Sequence, residues 1–257
     1  MGIKQMLLSI LGEKRYLSML AGTFQRLYPT GWLGSNYQDV YFLKHIIEPG
    51  AYCGDIGAHL GYYTIALSRL AGPSGKVIAV EPMPAFNSTL TKLLRSKHAA
   101  NVELHQVALG GGSAFVEMGI PKVGAMKRFA YARVKESSEH LEYIESVKVK
   151  NLTGDELFGR LPRLDFIKCD VEGLEVPVFR SAMAVLRTHH PILLCELADK
   201  AERVKMYEML QPLGYAAFRL EGGRLYALDV YSDQLAISHN HYFIPARHQE
   251  RLKGLIG

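Results

Sequence analysis

The chain has 257 residues, of which 48% are hydrophobic and 21% charged, with a formal net charge of +5. This composition excludes a disordered, collagen-like or repeat-array protein, and the length suits one α/β domain with additions better than two equal domains. The mild positive charge fits anionic partners such as nucleotide sugars or acidic glycans and is too small to argue for nucleic acid.

The first forty residues read as a helical extension packed on the rest, broken at Pro29 and across Gly31–Gly34. Residues 41–257 then form the main domain. Ala51–Ile56 is the first strand, a glycine-bearing turn follows, and a helix over Leu60–Leu70 is stopped by Gly72 and Pro73 in the manner of a C-cap. Lys76–Glu81 is the second strand, Phe86–Lys97 a helix and Val102–Leu109 the third strand. Parallel strands need crossovers of this kind, so the alternation predicts a doubly wound, mostly parallel α/β sheet with helices on both faces.

After Gly110-Gly111-Gly112 the alternation lapses. Ala114–Met118 and Ser146–Leu152 read as short strands around an insertion, residues 119–147, that carries Lys122, Lys127, Arg128, Arg133 and Lys135. Such a stretch is either an acceptor-binding loop or a basic solvated one. Thr153 and Glu156 match a capping box that opens a helix over Asp155–Gly159. Leu164–Asp170 is the fourth strand, and Val176–Arg187 a helix that tolerates Pro177 in its first turn. Pro191–Glu196 (strand), Lys200–Leu210 (helix) and Tyr215–Leu220 (strand) follow. Leu225–Val230 pairs back across Glu221-Gly222-Gly223, and His241–Ile244 is a last edge or antiparallel strand.

The chemistry starts in the turn after the first strand. Asp55-Ile56-Gly57-Ala58-His59-Leu60-Gly61 departs from the dinucleotide fingerprint G-x-G-x-x-G, whose glycines let a backbone approach a pyrophosphate. A carboxylate at Asp55 repels such an anion and attracts the sulfonium and amino groups of S-adenosylmethionine (SAM). Glu81, at the carboxyl end of the second strand, stands where an acid accepts both ribose hydroxyls. Asp170 with Glu172, and Glu196, end the next two core strands. Open α/β sheets bind ligands outside these strand ends, which brings the acids to one site. Glu175, at the start of the next helix, suits the helix dipole and a structural role.

The stretches Asp55-Ile56-Gly57-Ala58-His59-Leu60-Gly61-Tyr62-Tyr63-Thr64, Val80-Glu81-Pro82-Met83-Pro84 and Asp165-Phe166-Ile167-Lys168-Cys169-Asp170-Val171-Glu172-Gly173-Leu174-Glu175 resemble the FkbM family of SAM-dependent methyltransferases, from about Tyr41 to Pro245. The resemblance implies the class I methyltransferase fold, a seven-stranded sheet, and methylation of a hydroxyl on a sugar, glycan or polyketide. It implies that Asp55, Gly57, Ala58 and Gly61 wrap the methionine end and that Glu81 takes the ribose. Pro82 and Met83 then line the adenine side, with Gln106, Val107 and Ala108 nearby, and Tyr62 or Tyr63 turns its ring to the cation. His59 stands where the family more often has Asn, and Thr153-Gly154-Asp155 is a looser version of its Leu-Asp.

Methyl transfer from a sulfonium is carried mostly by positioning, but a sugar hydroxyl is a weak nucleophile that gains from a base. Asp170 and Glu172 are the candidates, with Glu196 a third acid that holds acceptor hydroxyls or a cation. Three carboxylates also suit a divalent ion, which leaves the metal open. Asp170-Val171-Glu172-Gly173 is not the Asn/Asp-Pro-Pro-aromatic signature of base-modifying enzymes, which argues against a nucleic-acid substrate. The alternatives are N-methylation of another small molecule, a catalytically silent SAM-fold partner subunit and, more distantly, a nicotinamide oxidoreductase. Cys53, Cys169 and Cys195 lie in apolar runs without C-x-x-C spacing, which predicts buried reduced thiols and a cytoplasmic protein, a homo-oligomer being possible. No apolar run nears the ~20 residues that span a bilayer, and Met6–Leu11 lacks the features of a signal peptide.

Overall fold

In the computed structural model, which describes residues 6–7, 10–32, 34, 37–123, 126–127, 133–134, 143–232 and 239–257, the apolar runs pair as the crossovers require. Strands β1 (Tyr52–Ile56), β2 (Lys76–Val80) and β3 (Val102–His105) pair in parallel on one side. β7 (Phe166–Cys169) and β8 (Ile192–Glu196) extend the same parallel sheet from β1. β11 (Asn240–Pro245) then inserts antiparallel between β8 and β9 (Tyr215–Glu221), and β10 (Arg224–Ala227) closes the edge as a hairpin with β9. The order is β10-β9-β11-β8-β7-β1-β2-β3: the seven strands of the expected sheet plus the short hairpin strand β10. Strands β1, β2, β7 and β8 are buried on both faces along nearly their whole length, as a sheet sandwiched between helices must be.

Two elements depart from the sequence expectation. The run Val102–Leu109 divides: the Glu81 N–H donates to the His105 carbonyl (3.0 Å), after which the chain leaves this sheet. Ala108–Leu109, here β4, pairs instead with β6 (Tyr143–Leu152), which forms a hairpin with β5 (Phe115–Val123). The expected single helix Val176–Arg187 is two, α6 (Glu175–Arg180) and α7 (Met183–His189). The break at Ser181–Ala182 has a tertiary cause. The Ser181 carbonyl accepts from the Asp155 N–H (3.0 Å), its hydroxyl accepts from the Gly154 N–H (2.9 Å), and Asp155 caps α7 through the Val185 N–H (2.9 Å). The capping box that opens α5 (Gly154–Phe158) forms as the sequence predicts, at both Thr153 and Glu156.

Near the N-terminus, α1 (Glu13–Leu27) packs Tyr16, Leu17 and Ala21 into the cluster of Leu60, Ile65 and Leu90. That cluster joins α3 (Tyr62–Ala71) and α4 (Pro84–Ser96) to the inner face of the β5–β6 hairpin through Met118, Ile120 and Val149. α1 therefore touches the glycine turn directly: the Gln25 amide donates to the Gly61 carbonyl (3.3 Å), and the rings of Phe24 and Tyr62 lie 4.2 Å apart. The short helix α2 (Gln38–Phe42) delivers Asp39 into the interior. Of the basic insertion, Arg128 and Lys135 lie outside the described residues. Cys53, Cys169 and Cys195 are buried free thiols, and no helix among the described residues is long and apolar enough to cross a membrane.

Candidate active site

β1 ends in a turn that only glycine can make. Gly57 has φ +82°, and a Cβ there would stand 1.9 Å from the Asp170 carbonyl oxygen, so the loops after β1 and β7 close on each other at this point. The Gly57 and Ala58 N–H groups donate to the Val80 carbonyl (3.0 and 2.9 Å), which ties the same turn to β2. Between the three strand ends lies a cavity of about 280 Å³, close to the lower end of the ~300–1,000 Å³ typical of ligand pockets.

Two carboxylates form its inner wall. Asp55 is 1% exposed and accepts a short hydrogen bond from the Thr64 hydroxyl (2.5 Å). Burial pushes its pKa up to about 6 against the pull of that hydrogen bond. Glu81 is 4% exposed; its Oε1 accepts from the Met83 N–H and its Oε2 from the His59 N–H, both at 2.8 Å. Burial lifts it to about 7 although both backbone donors favour the charged form. Each Glu81 oxygen keeps a further lone pair for a ligand hydroxyl. His59 adopts φ +48°, packs its ring 4.0 Å from that of Phe86, and is pushed by burial down to about 4, so its imidazole is neutral at pH 7.

Partly exposed lining residues of the loop after β7 form a mouth of the cavity. Val171, Glu172 and Leu174 line the cavity beside Asp170, and the turn that presents them is held by Glu175. The buried Glu175 carboxylate accepts from the Val171 N–H (2.8 Å) and the Gly173 N–H (3.1 Å), while Glu172 sits at φ +57°. The second glutamate of the D-x-E-G-x-E stretch is thus a scaffold for the first. Glu196 is exposed and stands outside the cavity wall, but its carboxyl meets that of Asp170. Desolvation and then the Asp170 charge push it up to about 7.

Asp55, Gly57, Ala58, His59, Tyr62, Tyr63, Glu81, Pro82, Met83, Val107, Ala108, Asp170 and Glu172 all line this one cavity. Three expected residues do not. Gly61 takes φ +78° as the N-cap of α3, and a Cβ there would meet the Leu90 side chain at 2.5 Å, which makes it a packing glycine. Gln106 is exposed, in the stretch that leaves the main sheet for β4. Glu196 reaches the site only through Asp170. Sequence reasoning missed Lys168, Phe86 and Met118, which also line the cavity; a lysine inside an apolar strand was the one available signal, since a charge there demands a partner. Among the described residues no group of three or more His, Cys, Asp or Glu side chains is placed to hold a metal ion.

A methyltransferase FkbM domain model matches residues 55–220, which takes in every strand-end acid above. "Methyltransferase 1" of Beauveria bassiana (strain ARSEF 2860) is 26% identical over 146 residues, 49% of this chain and 56% of that protein. A crystal structure of an FkbM methyltransferase from Methylobacillus flagellatus KT superposes with a TM-score of 0.52 at 18% identity, over 80% of this chain and 47% of the other. The chain thus spans about half the length of each of these relatives. The fold is that of the class I methyltransferases, and the chain belongs to the FkbM family of SAM-dependent methyltransferases.

Proposed function

We propose that the protein is an O-methyltransferase that moves the methyl group of SAM to a hydroxyl of a sugar, glycan or polyketide-like acceptor. When bound, SAM supplies a methyl group already activated on a sulfonium. The residues present fit it: two buried carboxylates, Asp55 and Glu81, line a cavity floored by a turn with no side chain at Gly57. Glu81 accepts from the ribose hydroxyls with its remaining lone pairs, Asp55 balances the cationic end, and Pro82, Met83 and Phe86 offer apolar surface to the base.

The single observation that carries the hydroxyl reading is the pair of carboxylates, Asp170 and Glu172, where the cavity opens, the first of them only 34% exposed. A carboxylate at the mouth accepts the proton that the hydroxyl loses as the new C–O bond forms, and water carries it away. Glu172 orients the acceptor, and Glu196 holds its neighbouring hydroxyls. The test is a screen of glycan, nucleotide-sugar and small hydroxylated acceptors with methyl-labelled SAM. Label appearing as a methyl ether supports the proposal; label found only on amines overturns it in favour of N-methylation. A thermal shift with NAD but none with SAM would overturn the cofactor itself.

A further inference from the structure

Among the described residues, Lys168 is the one cation on the wall of the cavity. The residue is 1% exposed, in the middle of the sheet. Nζ lies 3.6 Å from Asp170 Oδ2, 3.4 Å from the Asn240 side-chain oxygen and 3.4 Å from the Cys169 carbonyl, and 5.2 Å from the centroid of the Tyr63 ring. Asn240 is held in turn: its amide donates to Asp39 Oδ2 (2.9 Å), whose other oxygen accepts from the Tyr242 hydroxyl (2.8 Å). The ammonium thus sits among three acceptors within 3.6 Å, at the end of a chain of hydrogen bonds drawn from β7, β11 and α2.

Stability does not explain this arrangement. Removing an ammonium from water costs several kcal/mol, and a buried ion pair is often no better than an apolar pair of the same volume. A methionine would fill the same space. The arrangement does, however, fix one atom group at the cavity mouth, the Asp170 carboxylate, which also meets the carboxyl of Glu196.

We propose that Lys168 is a positioning residue, which holds the Asp170 carboxylate in place at the cavity mouth. The proposal rests on the reading of Asp170 as the group that receives the acceptor proton. Around Lys168 the titratable groups are Asp170, Cys169, Glu196 and Cys195 from β7 and β8, Asp55 and Tyr63 from β1 and α3, Asp39 from α2, and Tyr242 from β11. Burial works against the lysine's charge, but Asp170 foremost among the neighbouring acids holds its pKa above the ordinary range.

The test needs no acceptor. Full-length protein labelled with ¹³C at the Asp and Glu carboxyls is titrated by NMR as parent, Lys168→Met and Lys168→Arg, with Asp170→Asn and Glu196→Gln supplying the assignments. The expected result is that Asp170 titrates at higher pH in Lys168→Met than in the parent, and that Lys168→Arg restores the parent behaviour. An Asp170 titration that stays with the parent in folded Lys168→Met overturns the proposal. If Lys168→Met does not fold, the Lys168 Nζ resonance decides: it must move more in Asp170→Asn than in Glu196→Gln, and an equal or smaller change overturns the assignment. Should Asp170→Asn still transfer methyl at the parent rate, the base reading fails while the titration result stands, so the two failures are separable.

Discussion

Glu81 carries two loads that a substitution can separate. Its oxygens take the Met83 and His59 N–H groups, both at 2.8 Å, and in the proposed complex the ribose hydroxyls as well. Glu81→Ala leaves two buried backbone donors unpaired, at about 1–3 kcal/mol each, so about 2–6 kcal/mol in all. That is a large part of the 5–15 kcal/mol by which a domain is stable, and loss of binding by the alanine variant would report unfolding as readily as chemistry. Glu81→Gln is the sharper probe. It keeps one carbonyl oxygen for one N–H, turns an NH₂ toward the other, and removes the charge. Stability should fall by about 1–3 kcal/mol, and loss of charged acceptance by the ribose should weaken SAM binding by a further ~1.5–3 kcal/mol, or about 10–150-fold in Kd. Isothermal titration calorimetry with SAM, beside a urea denaturation curve on the same sample, reads both. A folded Glu81→Gln that binds SAM within threefold of the parent would show that Glu81 serves only to fold its loop.

Other outcomes follow from the same geometry. Asp170→Asn and Glu172→Gln each lower kcat, by roughly 100-fold or more for whichever accepts the hydroxyl proton, with little effect on SAM affinity; stopped assays with labelled SAM and any active acceptor check this, and values within threefold of the parent for both would leave positioning alone to carry the reaction. Gly57→Ala puts a methyl group against the Asp170 carbonyl in left-handed backbone and should cost about 2–5 kcal/mol, visible in the denaturation midpoint; a neutral substitution would mean the two loops are not in contact. Burial raises Glu81 from 4.5 to about 7 and Asp55 from 3.8 to about 6. The folded chain therefore binds more protons than the unfolded one across that window; the stabilising contribution is full below the unfolded values and is lost as pH rises through about 6 to 7. The ligand-free protein should lose stability over that range in pH-stepped denaturation, and a gain would contradict the burial of both acids. Cationic SAM favours the carboxylates, so its binding should release protons, seen as a buffer-dependent enthalpy in calorimetry.

The parts legible in sequence were those fixed by local chemistry. The turn at Gly57 needs left-handed backbone, the capping box at Thr153 and Glu156 is a four-residue pattern, and the strand-end acids follow from the parallel alternation. What escaped depends on contacts remote in sequence. Val102–Leu109 reads as one strand because nothing within it marks where His105 gives up its last ladder bond. Val176–Arg187 reads as one helix because the groups that break it, Gly154 and Asp155, come from another element. Asp39 and Asn240 are 201 residues apart and were invisible as partners. Lys168 was legible only as a charge inside an apolar run and as part of a family motif; its partners, Asp170 just past β7 and Asn240 on β11, were not. The family resemblance puts Gly61 at the cofactor and Gln106 near it; neither lines the cavity, Gln106 being exposed and Gly61 packed against Leu90.

The most direct measurement of the central claim is NMR detection of the methyl group of ¹³C-methyl SAM after incubation of the parent enzyme with the acceptor panel, since methyls on oxygen, nitrogen and sulfur resonate in separate regions. The account predicts a new O-methyl signal that grows with time, depends on one class of hydroxylated acceptor and is lost in Asp170→Asn. A new signal confined to the N-methyl region, or an O-methyl signal equally strong in folded Asp170→Asn, would contradict it.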